Sequence, residues 1–222
     1  MTDVYVARTD ILKDPHIFQV FYESAPVFRK EKIDRLQNAE KKRTSLGAWV
    51  LLAHALRQTG SGCDNLCFSF TKSGKPYLAK FPHIHFSLSH SADVVLCAVS
   101  ESEVGCDVEQ VRSVDLKLAN RFFSPREQVQ IKAQPTTESK ERMFFRLWTL
   151  KESYIKATGQ TLSALPDFSI IFEDDKIYAR QHLAQNKEFY FKEFSLNDGN
   201  CYACCAERDD FSELKIVNFE DM

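Results

Sequence analysis

Three carboxylates carry the first chemical argument. In Val104-Gly105-Cys106-Asp107-Val108-Glu109, apolar and polar residues alternate. A strand over 104–108 therefore sets Val104, Cys106 and Val108 on one face, with Asp107 and Glu109 on the other. Two carboxylates about 6 Å apart repel by about 3 kcal/mol at an effective dielectric of about 20. A divalent cation reverses that sign, and hard oxygen donors at this spacing suit Mg²⁺. A strand edge open to water screens the pair instead. The hexapeptide admits both readings, and the wet edge is the plainer one. Further along, Phe145, Trp148, Glu152 and Lys156 recur at i, i+3, i+7 and i+11, one stripe of a helix. Glu152 and Lys156 then form either a surface pair worth about 0.2–0.5 kcal/mol or the polar lining of a cleft.

Candidates for holding anions cluster elsewhere. Between Arg29 and Arg43 stand seven basic residues, Lys32 among them, against three acidic ones. They make either a solvated helix face or an anion seat. Lys75 sits between Gly74 and Pro76, where a tight turn brings backbone close to a ligand. His90, flanked by Ser89 and Ser91, falls in the expected turn of a hairpin. It can donate to an anion when protonated or cap that turn when neutral. Ser-His-Ser also evokes a serine nucleophile, but a nucleophile elbow needs G-x-S-x-G between strand and helix, which is absent here. Cys201 and Cys204 have C-x-x-C spacing, yet in a strand they face opposite ways, and no second pair completes a zinc site.

These residues need a scaffold, and the composition bounds it. The chain has 222 residues, 44% hydrophobic and 27% charged, values that exclude a disordered chain. Twenty-nine basic against thirty-one acidic side chains leave a net charge of −2, which argues against a general nucleic-acid surface. Eighteen Phe against seven Gly favour an aromatic core over a glycine-rich dinucleotide fold. The start shows no secretion signal and no apolar run spans a membrane, so a cytoplasmic protein with seven reduced cysteines is expected.

The pattern predicts strands at 3–8 and 18–22, a helix over 33–58 broken at Gly60–Gly62, and a strand at 66–70 before the turn at 73–76. Strand–turn–strand follows over 85–99, then a strand over 104–108. Helices are expected at 116–123 and 138–158, and strands near 167–172, 188–194 and 201–206. Phe86-Ser87-Leu88 before VVLCAV is echoed, 108 residues on, by Phe194-Ser195-Leu196 before CYACCA. The expectation is an α+β fold made of two related halves that join near residues 100–115 and pack tightly.

Four motifs in this order are more specific than any alone: GKPYL (74–78), FSLSHS (86–91), VGCDVE (104–109) and WTLKESYIK (148–156). With KKRTSLG (41–47) and FFSPRE (122–127), they resemble the signature set of the 4′-phosphopantetheinyl transferases. The likeness covers most of residues 25–160 and is to the long surfactin-synthetase-activator type, not the short trimeric one. It implies a pseudo-twofold pair of subdomains, 1–104 with phosphate contacts and 105–222 with metal ligands and the catalytic helix. Coenzyme A would lie in the cleft between them. The implied reaction moves the phosphopantetheine arm to a serine of an apo acyl, peptidyl or aryl carrier protein and releases adenosine 3′,5′-bisphosphate.

By the same resemblance, Asp107, Glu109 and Glu152 hold Mg²⁺, and Glu152 is also the general base. Lys151 and Lys156 neutralise the diphosphate, while Arg43, Ser89 and His90 hold phosphates. Lys75 and Pro76 border the adenine nucleotide, and Arg29 and Lys32 reach the 3′-phosphate. Cys106 stands where the family usually has a branched aliphatic residue, facing away from the carboxylates. Leu116, Leu118, Phe122 and Phe123 offer either a docking surface, with Arg121 or Arg126 steering an acidic carrier, or plain core. A monomer is expected, with no nucleic-acid or membrane partner. Two rivals remain: a non-catalytic module binding coenzyme A, and a metal-dependent phosphodiesterase that uses water.

Overall fold

The computed structural model describes residues 1–60, 66–174, 176–181 and 188–222. The first half runs β1 (Thr2–Arg8), α1 (Pro15–Ser24), α2 (Val27–Asp34), α3 (Ala39–Gln58), β2 (Phe68–Phe70), β3 (Pro76–Leu78), β4 (His85–Ser91) and β5 (Val94–Ser100). The second runs β6 (Val104–Gln110), α4 (Ala119–Phe122), α5 (Pro125–Lys132), α6 (Thr137–Thr158), β7 (Phe168–Glu173), β8 (Lys176–Gln181), β9 (Tyr190–Phe194), β10 (Asn200–Ala206) and β11 (Phe211–Ile216).

The two halves repeat one plan. A strand is followed by a long helix and then a hairpin whose second strand returns antiparallel to the first: β1, α3, β4–β5, and again β6, α6, β9–β10. Each sheet buries one face under its own helix. Tyr5, Val95 and Cys97 pack with Leu46, Val50 and Leu52 of α3, while Ala203 and Cys205 pack with Leu147, Leu150 and Tyr154 of α6. The other faces meet each other: Val4, Leu96 and Ala98 share a core with Val104, Cys106, Val108 and Cys204. The layers are therefore helix, sheet, sheet, helix, with a seam between the sheets. The fold is α+β and pseudo-twofold. At the end of the chain, β11 pairs parallel with β1 and Phe219 joins the first core. The final segment thus returns to the first half.

The phenylalanines fill this plan with aromatic groups in both halves. Phe28, Trp49, Phe68 and Phe86 contact one another at 5.2–5.8 Å between ring centres. Phe122, Phe123 and Phe144 surround Trp148 at 5.1–6.4 Å.

Several expected elements change. Residues 18–22 lie inside α1 and not in a strand. Pro15 opens that helix, Asp14 caps it by accepting from His16 N and Ile17 N at 2.8 and 3.2 Å, and Phe18, Phe21 and Tyr22 pack at helical spacing. The helix expected over 33–58 is two, because Asn38 accepts from Lys41 N and starts α3 afresh. His90 belongs to β4, and the turn after it is Ala92-Asp93, with Ala92 at φ 48°. The Phe-Ser-Leu echo falls inside β4 but at the end of β9, so element order carries the repeat and the tripeptide does not. Strands β8 and β11 were not foreseen; both mix charged residues into short edge segments. Gly62 lies outside the described residues. Among the described residues no helix is long and apolar enough to cross a membrane.

Candidate active site

The site is built where β4, the edge of the first sheet, runs beside β6, the edge of the second. Alternate serines of β4 point the same way and take the place of a strand ladder. Ser87 Oγ accepts from Cys106 N at 3.0 Å, and Ser91 Oγ accepts from Gln110 N at 3.0 Å. Between them, Ser89 Oγ donates to Asp107 Oδ1 at 2.6 Å, and Ser91 Oγ also donates to Glu109 Oε2 at 3.2 Å.

Gly105 brings the third partner. A Cβ there would stand 2.0 Å from Ser153 O and 2.4 Å from Ala157 N, so the backbone of α6 lies directly on β6. That contact lets Lys156 Nζ reach Asp107 Oδ1 at 2.6 Å, Ser89 Oγ at 3.1 Å and Cys106 O at 3.3 Å.

Negative charge exceeds positive at this point. Asp107 is buried and its Oδ2 has no hydrogen-bond partner. Burial, then the charges of Asp107 and Glu109, push the Glu152 carboxyl up to about 7, although Lys156 pulls it down. Glu109 is raised by burial and by Asp107, against the pull of Arg112, whose Nη1 lies 3.1 Å from its Oε2. Burial works against the charge of Lys156, but Asp107 outweighs it and the lysine is held cationic. An orphaned carboxylate oxygen and three mutually repelling hard-oxygen donors fit a divalent cation. As the side chains stand, Lys156 occupies Asp107 Oδ1. Among the described residues no three His, Cys, Asp or Glu groups converge closely enough to ligate an ion.

The opposite imbalance lies on the first-half side. Arg29 packs over Trp49 and Phe28, and its Nε is buried without a partner. Burial lowers its basicity, and burial together with Arg29 lowers that of Lys32. His90 is lowered by burial, then by Lys156 and Lys32, against Asp107. Arg43 reaches Asp93 at 3.5 Å in the β4–β5 turn and leaves its Nε without a partner. Two guanidinium groups, each with a buried Nε that has no partner, beside Lys32 and His90, make a seat for an anion. Pro76 begins β3 beside this region, while Lys75 turns its ammonium toward the seam.

Lys151 is a correction. Its side chain is wholly buried, with Nζ 2.8 and 3.1 Å from the Glu127 carboxylate and 2.7 Å from Phe168 O. Glu127 also accepts from Ser124 N and Ile170 N, each at 2.7 Å. Lys151 therefore ties α6 to α5 and β7 and does not reach the carboxylate cluster. One residue from Glu152, it lies about 100° around the helix from the Glu152–Lys156 stripe. Of the docking candidates, Phe123 is core, Phe122 packs edge-on to Trp148, and Leu118 is exposed. Cys201 faces the second core and Cys204 the seam, as opposite strand faces require.

Sequence reasoning passed over Gly105, Ser87, Ser91 and Arg112. A glycine inside a strand was the available signal for close backbone approach.

A model of the 4′-phosphopantetheinyl transferase superfamily matches residues 103–206, which include β6 and α6. The chain is 32% identical over 197 residues to 4′-phosphopantetheinyl transferase Sfp of Bacillus subtilis, covering 87% of this chain and 88% of that protein. It is also 32% identical to 4′-phosphopantetheinyl transferase psf-1 of Bacillus pumilus, over 82% of this chain and 79% of that one. To 4′-phosphopantetheinyl transferase HetI of Nostoc it is 42% identical, over 59% and 57%. These matches define an enzyme that transfers a phosphopantetheine group. The chain belongs to the 4′-phosphopantetheinyl transferase family, in its long, Sfp-type form.

Proposed function

We propose that the protein transfers the 4′-phosphopantetheine arm of coenzyme A to a serine hydroxyl of an apo acyl, peptidyl or aryl carrier protein, with Mg²⁺ at the carboxylates. The supporting observation is a carboxylate cluster short of positive charge on the second half, with basic side chains on the first half of which Arg29 and Arg43 each keep a buried Nε without a partner. A diphosphate and its metal ion complete both. All the groups come from one chain, so the reading needs only a monomer. Its units are 1–104 and 105–222, with residues 211–222 returning to the first.

Asp107, Glu109 and Glu152 would hold Mg²⁺, which when bound stabilises charge on the diphosphate oxygens. Lys156 neutralises the diphosphate, Ser89 and His90 donate to phosphate oxygens, and Arg29, Lys32 and Arg43 seat the 3′-phosphate. Lys75 and Pro76 border the adenine nucleotide. In the transfer, the serine Oγ bonds to the β-phosphorus while the β-phosphorus to bridging-oxygen bond breaks, and its electron pair leaves on adenosine 3′,5′-bisphosphate. Glu152 takes the hydroxyl proton, directly or through one water.

The test is to incubate the protein with coenzyme A, Mg²⁺ and several apo carriers and weigh each carrier by intact mass spectrometry. A phosphopantetheine adduct is expected on at least one. Its absence from carriers of all three types overturns the proposal.

A further inference from the structure

The hairpin β2–β3 is short, with three residues in each strand. Its tip is a tight turn: Gly74 N donates to Thr71 O, Thr71 N to Lys75 O, and Lys75 N to Thr71 Oγ1, with Gly74 at φ 86°. This tip rests on the second half. Lys75 Nζ reaches Glu103 Oε2 at 2.8 Å and Val104 O at 3.3 Å, where the halves join, and Ala157 O of α6 at 3.2 Å. All three ammonium protons thus have acceptors, one of them a carbonyl in the last turn of α6. Just past that turn, Ser73 Oγ lies 3.8 Å from where a Gly159 Cβ would stand.

Glu103 is the hub of the contact. Its carboxylate also meets His85 Nδ1 at 3.4 Å, and its carbonyl accepts from Glu207 N at 3.2 Å. A cleft of about 490 Å³ opens beside it, bounded by Thr71 and Ser73 of the tip, by Thr158 at the end of α6 and by Gln160 just past it. Without the carboxylate, Lys75 keeps two carbonyls but no counter-charge in a site where it is mostly buried.

We propose that Glu103 is a positioning residue: by clasping Lys75 where the two halves join, it fixes the Gly74-Lys75-Pro76 turn against the nucleotide end of coenzyme A. The inference rests on the reading of the seam as the coenzyme A site. Val104 and Asp107 are three residues apart on β6, roughly 10 Å. The clasp therefore governs nucleotide binding and leaves the carboxylate chemistry alone.

The test compares Glu103→Ala and Glu103→Gln with the wild type. Glu103→Ala should raise KM for coenzyme A about five-fold, the size of one half-buried ion pair, with kcat within about two-fold. Glu103→Gln, whose amide oxygen still accepts from Lys75, should recover much of that loss. Calorimetry with adenosine 3′,5′-bisphosphate alone should show the same weakening, and hydrogen exchange should quicken over 71–78 in the alanine variant. Unchanged KM and unchanged nucleotide affinity in an active enzyme overturn the clasp, as does a loss confined to kcat. If no carrier is modified by the wild type, yet Glu103→Ala still weakens nucleotide binding, the transferase reading falls and the clasp stands.

Discussion

Replacing Gly105 with Ala puts one methyl between β6 and α6 and tests how the site is assembled. The added carbon would meet Ser153 O at 2.0 Å, Ala157 N at 2.4 Å and the Lys156 carbonyl carbon at 3.0 Å. All three atoms are backbone, so no side chain can swing aside. Ordinary contact begins near 3.4 Å, and α6 must therefore retreat from β6 by about 1.4 Å. Overpacking of this kind costs about 1–3 kcal/mol of stability. The catalytic effect should be larger, because the same retreat carries Lys156 away from Asp107, now 2.6 Å distant, and moves Glu152 with it. A displacement near 1 Å in a positioned group lowers turnover by roughly 100-fold. The assay is kcat for carrier modification at a temperature where circular dichroism shows Gly105→Ala fully folded, together with its melting curve. A folded variant with wild-type kcat would refute the claim that this contact places Glu152 and Lys156.

Other substitutions probe single assignments. Glu152→Gln should abolish transfer while coenzyme A affinity, measured by calorimetry, stays within about three-fold; undiminished turnover removes Glu152 as the base. In the metal-free protein, the Glu152 carboxyl is raised from the usual 4.5 to about 7. The folded state therefore binds more protons than the unfolded state across that window, and stability should fall as pH rises through it. Glu152→Gln should flatten that decline in denaturant titrations, and an unchanged slope contradicts the assignment. Lys151→Met leaves the Glu127 carboxylate buried without its cation, so it should lose about 3–5 kcal/mol in chemical denaturation. Full stability with a raised KM for coenzyme A would restore Lys151 to the phosphates. Arg43→Met should weaken binding of coenzyme A about ten-fold but scarcely alter binding of its 3′-dephospho form; equal losses for both would remove Arg43 from the 3′-phosphate.

The parts of the fold that were legible from the sequence rest on short-range rules. Alternation in 104–109 fixed which face of β6 is apolar, because a one-residue slip would bury Asp107 and Glu109 in the seam core. The 3.6-residue period of 138–158 likewise placed Glu152 and Lys156 on one stripe of α6. Residues 18–22 were misread because FQVFY is rich in strand formers, and the Asp14-Pro15 start just before it carries the deciding signal. What pattern cannot supply is the identity of distant partners. Lys151 and Lys156 share a helix and a charge. Only the tertiary fold sends one to Glu127 and the other to Asp107, and only it turns the three alternate serines of β4 into links to β6.

The central claim, that the charge-imbalanced seam is a group-transfer site with Glu152 as base, meets its most direct test in a product balance. Wild-type protein and Glu152→Gln are each incubated with coenzyme A, Mg²⁺ and an apo carrier, and both products are quantified. The wild type should release one adenosine 3′,5′-bisphosphate for every carrier that gains a phosphopantetheine arm, and Glu152→Gln should yield neither while still binding coenzyme A. Bisphosphate released without a modified carrier, or equal yields from the two proteins, would contradict it.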